Sequence, residues 1–442
     1  MIRYRAAWVL PVTTPPIADG IVAVDGEHIV WVGPAAHAPA GETVDLGDAL
    51  LLPGFVNAHT HLDLHDFRGL LTDLRDFFPW IGALTTAKRE VMDPAALLDS
   101  ARAGVAEGLS RGITTYADTA DNDAPFTAML EAGVRGIAFR EVFGPDPAQR
   151  DASLNGLRDA VAAMRTRATR LVAVGASPHA PYSVSDELFA AVADWARHES
   201  LPVAVHIAES AAETALVRDG AGPFADFLRG RAITVAPRGR SPVDVLDRAG
   251  VLWGRPLLIH CVRVDDTDIA AIAHHDCGVA LCPNSNAWFK HGPAPVAKLV
   301  AAGIRVGIGS DSMASNMRMD VRDEACVATS HIDDGRDDWP RALELATIGG
   351  ARALGLADRI GSLDVGKEAD LVAFPSGRNG TPSTAADATR RAVFGLSTPV
   401  LVTVAGRQLV SPARPAANNG PAERTGEVAE RLSRWRTAER PR

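Results

Sequence analysis

The sequence has few cysteines, no long hydrophobic run and no cluster of basic residues. Its four cysteines show no C-x-x-C spacing, which argues against a zinc knuckle or a thioredoxin-type redox pair. No uninterrupted apolar stretch approaches the roughly 20 residues that a membrane span needs. The net charge of −9 argues against a nucleic-acid partner, and the proline-broken first residues lack a convincing cleavage site. We therefore expect buried, reduced thiols in a cytoplasmic protein.

The chain is long enough for one large domain and a smaller companion. Its 442 residues, 47% of them hydrophobic, fit a (β/α)8 barrel of roughly 250 residues or more plus a small second domain. Residues 1–50 and 361–412 contain short strand-like pieces separated by turn signals, and we expect them to form one composite β-sandwich. The tail, 413–442, is rich in Pro, Ala, Asn and charge, and is expected to be loose with one helical stretch near 426–436.

Residues 51–360 alternate apolar strands with alanine-rich helices, a pattern typical of βαβ units and a parallel sheet. Two clear helical patterns are PAALLDSARAGVAEGLSRG and SDELFAAVADWARHES, the second with Ser185 as its N-cap. Eight strand-helix units favour an α/β fold of the closed (β/α)8 TIM-barrel type over an open sheet. The strands are predicted at about 51–57, 113–118, 134–142, 171–177, 202–207, 256–261, 278–282 and 305–310.

Metal-ligand residue types stand at the ends of several of these strands. His59 and His61 lie two residues apart in PGFVNAHTHLD, so both side chains leave the strand on the same face. His206, His260 and Asp311 close the apolar runs PVAVHIAE, PLLIHC and VGIGSDS. Each residue alone has an ordinary structural interpretation, as a hydrogen-bonded histidine or a turn aspartate. Because barrel enzymes take their catalytic groups from the carboxyl ends of several strands, the set predicts one metal site.

Imidazole and carboxylate ligands with one open position suit zinc or ferrous iron. A water bound by such an ion has its pKa lowered to about 7, so hydroxide is available at neutral pH. We expect one divalent ion, Zn²⁺ or Fe²⁺. The remaining histidines, His291 among them, fall in loops or on helices and are interpreted as structural or solvent-exposed.

The chain resembles the amidohydrolase superfamily, in the branch that holds hydrolytic deaminases and chlorohydrolases. PGFVNAHTHL, HIAES, GSDSMASN and GSLDVGKEADLV match that branch in order over residues 1 to about 410. The resemblance implies one metal ion held by His59, His61, His206 and Asp311, with Glu209 and His260 around the attacking water. Binuclear members carry a carboxylated lysine after strand four, where this chain reads Ser177-Pro178-His179.

The implied reaction is hydrolytic deamination at an sp² carbon of a nitrogen heterocycle. Asp311 helps to deprotonate the water, Glu209 carries a proton to the ring nitrogen and on to the leaving amine, and His260 stabilises the developing charge. Glu209 has an alternative interpretation as a first-turn acid of the next helix. Open alternatives for the whole chain are hydrolysis of another C–N or C–Cl bond, as in a guanine, an s-triazine or a cyclic amide, and a non-catalytic relative.

Candidates for substrate binding come from the resemblance (His179), from the segment after strand one (Trp80 and Glu90) and from strand ends (Glu141 and Asn284). A loop-stabilising histidine and a lid core of aromatic residues are the structural alternatives. The detailed pattern is most similar to the aminodeoxyfutalosine deaminase-like group, although CPNSN stands where a CPRSN-type loop is expected. The substrate is therefore expected to be a small aminopurine nucleoside-like heterocycle, of the aminodeoxyfutalosine, adenosine or S-adenosylhomocysteine type. We expect a homodimer with no nucleic-acid or membrane partner.

Overall fold

A computed structural model of the chain describes most of the sequence. The described residues are 1–332, 338–377, 380–395, 397–410, 430–431 and 433–435. Residues 430–431 and 433–435, inside the predicted helical stretch of the tail, are helical. The rest of the predicted tail lies outside the described residues. No helix of the described part has the length and apolar character that crossing a membrane requires.

A small β-domain is built from both chain ends. Its first five strands are β1 (Ile2–Val9), β2 (Ile17–Asp25), β3 (His28–Pro34), β4 (Glu42–Asp45) and β5 (Ala49–Pro53). Three more follow the barrel in sequence and are numbered after it: β15 (Leu371–Pro375), β16 (Leu401–Val404) and β17 (Arg407–Val410). The strand order is β17-β16-β15-β5-β1-β2-β3, and β4 pairs with β1. The antiparallel pairing of β15 with β5 joins the two ends of the chain.

Eight parallel strands form the barrel. They are β6 (Phe55–His61), β7 (Ile113–Ala120), β8 (Arg135–Val142), β9 (Val172–Pro178), β10 (Ala204–Ile207), β11 (Leu257–His260), β12 (Gly278–Leu281) and β13 (Arg305–Ile308). The short β14 (Asp311–Ser312) continues β13 and pairs with β6 at Thr60 and His61. A parallel bridge between Ala176 and Val203 links the two halves of the ring.

The structure differs from the prediction at the first barrel strand. Residues 49–53 belong to β5 of the small domain, and the barrel strand begins only at Phe55. Pro53 and Gly54 break the apolar run into two strands, and a Cβ on Gly54 would collide with the side chain of Thr114. The chain therefore changes sheets where the sequence shows one continuous hydrophobic segment.

Helices cover the outside of the barrel. They are α1 (Phe77–Val91), α2 (Pro94–Ser110), α3 (Ala124–Ala132), α4 (Arg150–Arg165), α5 (Asp186–His198), α6 (Ala211–Asp219), α7 (Pro223–Gly230), α8 (Pro242–Arg248), α9 (Asp266–His274), α10 (Pro283–Trp288), α11 (Val296–Ala301), α12 (Val321–Thr329), α13 (Trp339–Glu344), α14 (Gly350–Ala353) and α15 (Ala385–Phe394). Ser185 caps α5 as predicted, since its hydroxyl oxygen accepts from the Leu188 amide. Of the cysteines, Cys261, Cys277 and Cys282 are buried, whereas Cys326 is only partly buried.

The barrel and the small domain are joined by apolar packing and by one buried cation. In β15, Leu371 and Ala373 pack into the core of the small domain, while Val372 and Phe374 pack against the barrel core. Arg135, at the start of β8, is fully buried and donates to Asp370 (2.8 and 2.9 Å) and Glu368 (2.7 Å). Because an unpaired buried charge is costly, this network ties the position of the small domain to a barrel strand.

Candidate active site

The predicted ligands meet at the carboxyl end of the barrel. His59 and His61 lie at the end of β6, His206 in β10, and Asp311 begins β14. Asp311 Oδ1 lies 3.5 Å from His59 Nε2 and 3.6 Å from His61 Nε2. The ring centroid of His59 is 4.9 Å from those of both His61 and His206. Four side chains from three segments that are remote in sequence thus face one point.

These separations fit a shared ion better than direct hydrogen bonds. Nitrogen–oxygen hydrogen bonds are mostly shorter than 3.2 Å. Two ligands bonded to one zinc at about 2.0–2.1 Å in tetrahedral geometry lie roughly 3.3–3.4 Å apart. Both ring nitrogens of His59 are also buried without a hydrogen-bond partner, which is costly unless another group binds them. The residues present therefore fit a divalent metal ion.

The neighbours of two of the histidines orient them for metal binding. His206 Nδ1 donates to the backbone carbonyl of His179 (3.2 Å), which leaves its Nε2 lone pair toward the cluster. His61 Nδ1 lies 3.4 Å from the hydroxyl of Thr119, while its Nε2 faces Asp311. Such outer contacts fix the tautomer that a metal-binding imidazole needs.

Electrostatics favour the protonation states that bind metal. Burial lowers the pKa of His59 to about 4 and holds that of His206 well below its ordinary value. Burial alone would raise the pKa of Asp311, but His59, His260 and His61 together hold it well below its usual range. Neutral imidazoles beside an ionised carboxylate form the donor set of a divalent-metal site.

Backbone strain is concentrated at the same strand ends. Ala208, His260 and Asp311 adopt positive φ angles of 51°, 77° and 55°, which cost roughly 1–3 kcal/mol each for such residues. Asn57 holds the strained turn before Asp311, because its side chain donates to Ser310 Oγ (2.8 Å) and accepts from the Ser310 amide (3.0 Å). The strain aims side chains that a regular strand would direct elsewhere.

Glu209 and His260 flank the cluster. Glu209 Oε1 lies 3.6 Å from His260 Nε2, and the Glu213 carboxylate accepts from the amides of Ala208 (2.8 Å) and Glu209 (2.9 Å). His260 Nδ1 lies 3.2 Å from Asn286 Oδ1. Burial, with the charges of Asp311 and Glu213, raises the pKa of Glu209 well above its usual range. A protonated Glu209 beside the metal ligands is placed to donate a proton.

The sequence comparisons agree with this geometry. The model of the amidohydrolase family matches residues 50–409. The chain belongs to the amidohydrolase family. The resemblance stated from the sequence motifs, the metal-dependent amidohydrolase class and the predicted fold class are thereby confirmed.

The sequences of known relatives match most of the length of this amidohydrolase. It is 31% identical over 384 residues to a 5-methylthioadenosine/S-adenosylhomocysteine deaminase of Moorella thermoacetica, covering 84% of this chain and 85% of the relative. Among solved structures, an adenosine deaminase from Xanthomonas campestris with bound zinc has a TM-score of 0.82 at 27% identity, over 98% of both chains. A zinc-complexed atrazine chlorohydrolase from Arthrobacter aurescens has a TM-score of 0.81 at 23% identity, over 98% of this chain and 100% of the other.

A cavity of about 290 Å³ opens beside the ligands of the amidohydrolase site. Its apolar walls come mainly from α1 and from Phe289: Leu64, Phe77, Trp80, Ile81, Leu84 and Phe289. Three of the predicted substrate residues, Trp80, Glu141 and His179, line it. His179 Nδ1 donates to Ser183 Oγ (2.7 Å), whose own hydroxyl donates to the Ala180 carbonyl (3.1 Å). Nε2 of His179 is therefore left as an acceptor.

The structure places the other two predicted substrate residues, Glu90 and Asn284, outside this cavity. Glu90 lies near the C-terminal end of α1, where it accepts from the indole of Trp435 (2.7 Å). The amide and side chain of Asn284 both donate to buried Glu324 (2.9 Å each). Asn286, two residues on, is the member of that loop that reaches His260. Both side chains are engaged in contacts within the protein, so neither is assigned a role in substrate binding.

Two residues at or near the site lie away from strand ends, where the sequence analysis looked for functional groups. His291, interpreted from the sequence as structural or exposed, is buried with Nε2 3.7 Å from Glu209 Oε1, and its ring packs 5.3 Å from Phe77. Lys88 reaches the cavity from α1 and pairs with Asp63 (2.8 Å) and Asp121 (2.6 Å). His291 follows the short helix α10, and Lys88 lies within the longer helix α1. The signal that could have found Lys88 is its position two helical turns after Trp80, on the same face of α1.

Proposed function

We propose that this amidohydrolase is a zinc-dependent deaminase that converts the exocyclic amine of an aminopurine nucleoside to a carbonyl and releases ammonia. The observation that carries the proposal is the placement of Glu209 beside the buried ligand cluster, at the inner end of an apolar-walled cavity. Flat apolar walls with a few polar groups suit a heteroaromatic ring. The relatives named as adenosine and S-adenosylhomocysteine deaminases support the same substrate class.

One metal ion would be held by His59, His61, His206 and Asp311. When bound, such an ion supplies an activated water at neutral pH, because it lowers the pKa of that water to about 7. Metal analysis should return one equivalent of zinc per active chain. Two equivalents would contradict the mononuclear assignment.

The chain's own residues handle the protons. Asp311 Oδ1 already accepts from the Ser312 amide (2.7 Å) and faces two histidines, so we assign Oδ2 as the acceptor of the proton from water. Glu209, held protonated by burial, donates to the ring nitrogen next to the amine-bearing carbon. Left as a carboxylate, Glu209 then takes the proton of the hydroxyl added to that carbon and passes it to the amine, which leaves as ammonia. The proton held by Asp311 restores the acid form of Glu209. The balance is one water consumed and one ammonia released per carbonyl formed.

His260 orients the attacking water, from which its Nε2 can accept a hydrogen bond. Its Nε2 points toward Glu209, and the Asn286 amide oxygen lies next to its Nδ1. With Nδ1 donating to Asn286, the ring is locked in one orientation. His179 Nε2, an acceptor at the cavity wall, is assigned to a donor on the purine ring or its substituent.

No specific observation favours a second activity. The likeness to the atrazine chlorohydrolase, at 23% identity, is one of fold. The complete ligand set and Glu209 argue against a non-catalytic relative. A cytoplasmic location and a homodimer, both expected from the sequence, belong to the same proposal.

The test is a panel of adenine nucleosides, guanine, pterins, s-triazines and cyclic amides incubated with zinc-loaded enzyme. Ammonia release and a shift from adenine-like to hypoxanthine-like absorbance are expected for the adenine nucleosides. Turnover of a triazine or a cyclic amide with no ammonia from any aminopurine would refute the proposal. Enzyme stripped of metal by a chelator is the matched blank, and readdition of zinc should restore the rate.

A further inference from the structure

Three polar side chains line the cavity beside its apolar walls: Lys88, Asp121 and Glu141, here called the charged end. None of them is one of the four assigned metal ligands or takes part in the proton transfers, although a carboxyl oxygen of Glu141 lies within 4.8 Å of a ring nitrogen of the ligand His206. Lys88 projects from α1, Asp121 follows β7 and Glu141 lies in β8. Three separate elements thus bring polar groups to one part of the cavity.

Lys88 is fixed there by two carboxylates. Its ammonium contacts Asp63 Oδ2 (2.8 Å) and Asp121 Oδ1 (2.6 Å), and Asn122 donates to the same Asp63 oxygen (2.7 Å). An ammonium carries three N–H donors, so two contacts leave one donor for a ligand. Because Asp63 is fully buried, Lys88 has little freedom to move away from this position.

The carboxyl group of Glu141 gives independent evidence that a ligand binds at the charged end. Its side chain is only 6% exposed, and its Oε1 atom is buried with no hydrogen-bond partner. The neighbouring His179 Nε2 is 4.0 Å away, beyond hydrogen-bond length. Burial, with the charge of Asp121, raises the pKa of Glu141 to about 8, so a neutral carboxyl that can donate lines the cavity at pH 7. A buried carboxyl oxygen without a partner is normally satisfied by a bound molecule.

The charges around Lys88 determine which kind of substrate group can bind at the charged end. Lys88 is the only lysine or arginine among the described lining residues, and its charge is already matched by Asp63 and Asp121. Arg140, whose charge also acts on Asp121, is not among the cavity-lining residues. An incoming phosphate would meet the Asp121 carboxylate at close range, whereas a hydroxyl can accept from Lys88 and donate to Asp121.

We propose that the charged end binds an uncharged, hydroxyl-bearing part of the substrate and discriminates against a phosphate group at this position. The inference rests on the proposed deaminase function and names Lys88, Asp121 and Glu141 as specificity-determining residues. It makes the substrate a free nucleoside rather than a nucleotide.

The experiment measures binding separately from turnover. In a Glu209→Gln background loaded with zinc, tryptophan fluorescence gives the Kd for adenine, adenosine and adenosine 5′-monophosphate. Adenosine is expected to bind roughly ten- to a hundredfold more tightly than the monophosphate. Adding Lys88→Met or Asp121→Asn should weaken adenosine roughly tenfold, about the worth of one hydrogen bond to a charged group, and leave adenine unchanged. Asp121→Asn should also reduce the difference in Kd between adenosine and its monophosphate.

Controls separate this role from folding. Arg89→Met removes a positive charge from the next residue of α1, whose side chain is 71% exposed, and should change no Kd. Lys88→Met risks instability because it unpairs buried Asp63, so Asp121→Asn, at a side chain 47% exposed, is the decisive variant. Equal affinity for adenosine and its monophosphate, or an unchanged adenosine-to-adenine ratio in Asp121→Asn, would overturn the inference. The expected Kd pattern without ammonia release from the wild type would uphold the subsite and refute deamination.

Discussion

Replacing Glu209 with glutamine tests the proposed proton path most directly. The change keeps the volume of the side chain and removes only its ability to exchange a proton. Glu209 Oε1 lies 3.6 Å from His260 Nε2 and 3.7 Å from His291 Nε2, both longer than hydrogen bonds. Little ground-state bonding is therefore lost, and zinc content and substrate affinity should stay close to those of the wild type.

The expected loss of rate follows from the role assigned to the carboxyl. A positioned general acid or base contributes typically about 10²–10⁴-fold, and here one group serves both the ring nitrogen and the leaving amine. This corresponds to about 2.7–5.4 kcal/mol of barrier at 1.36 kcal/mol per factor of ten. Stability should not fall, because a buried carboxyl with a strongly raised pKa is replaced by a neutral amide.

The assay compares kcat, KM and zinc content of the two proteins with adenosine as substrate. A fall in kcat of at least about 100-fold, with KM changed by less than about threefold, is expected. Glu199→Gln, at a half-exposed side chain paired with Arg165, provides a matched control that should retain full activity. Survival of more than a tenth of the wild-type kcat would refute the assigned role.

Three further outcomes follow from the same geometry. His59→Asn should lose tightly bound zinc while remaining folded, as metal analysis and circular dichroism would show; retention of a full equivalent would contradict its place as a ligand. Arg135→Met leaves Glu368 and Asp370 buried without this partner, at a cost of about 3–5 kcal/mol, so the thermal midpoint should fall, and an unchanged midpoint would contradict the network. Glu141 binds its proton more tightly in the folded state, where its pKa is about 8 instead of 4.5, so its contribution to stability is most favourable below pH 4.5 and declines as the pH rises to about 8. Glu141→Gln should flatten that decline in urea unfolding at pH 5, 6.5 and 8, and an unchanged slope would show that the carboxyl titrates normally.

The barrel and the ligand positions were predictable because both leave periodic signals. A buried parallel strand is a short apolar run, and catalytic groups follow such runs at the carboxyl end of the barrel. His206, His260 and Asp311 each close one, and the structure brings them to one place. The first barrel strand was misplaced because Pro53 and Gly54 divide one apolar run between two sheets. Local composition does not reveal which sheet an apolar residue joins.

The conformations at the strand ends could not be predicted. Ala208, His260 and Asp311 hold positive φ angles that sequence patterns assign to glycine or asparagine. They persist because partners far along the chain hold them, as Asn57 holds the turn before Asp311 and Glu213 holds the turn before Glu209. Such strain is visible only once the long-range contacts are known.

The substrate side of the cavity is formed by helix and loop residues instead of strand ends. Its walls come mainly from α1 and from Phe289 after α10, and Lys88 reaches it from a helical position that no strand end marks. Glu90 was the candidate predicted in this part of the chain, yet Lys88, two positions earlier on α1, is the residue that lines the cavity. Lys88 faces inward and Glu90 meets Trp435 instead. Because the metal cluster rests on strands and the charged end on a helix, exchanging Lys88 or Asp121 should alter which nucleoside arm is accepted without disturbing the zinc.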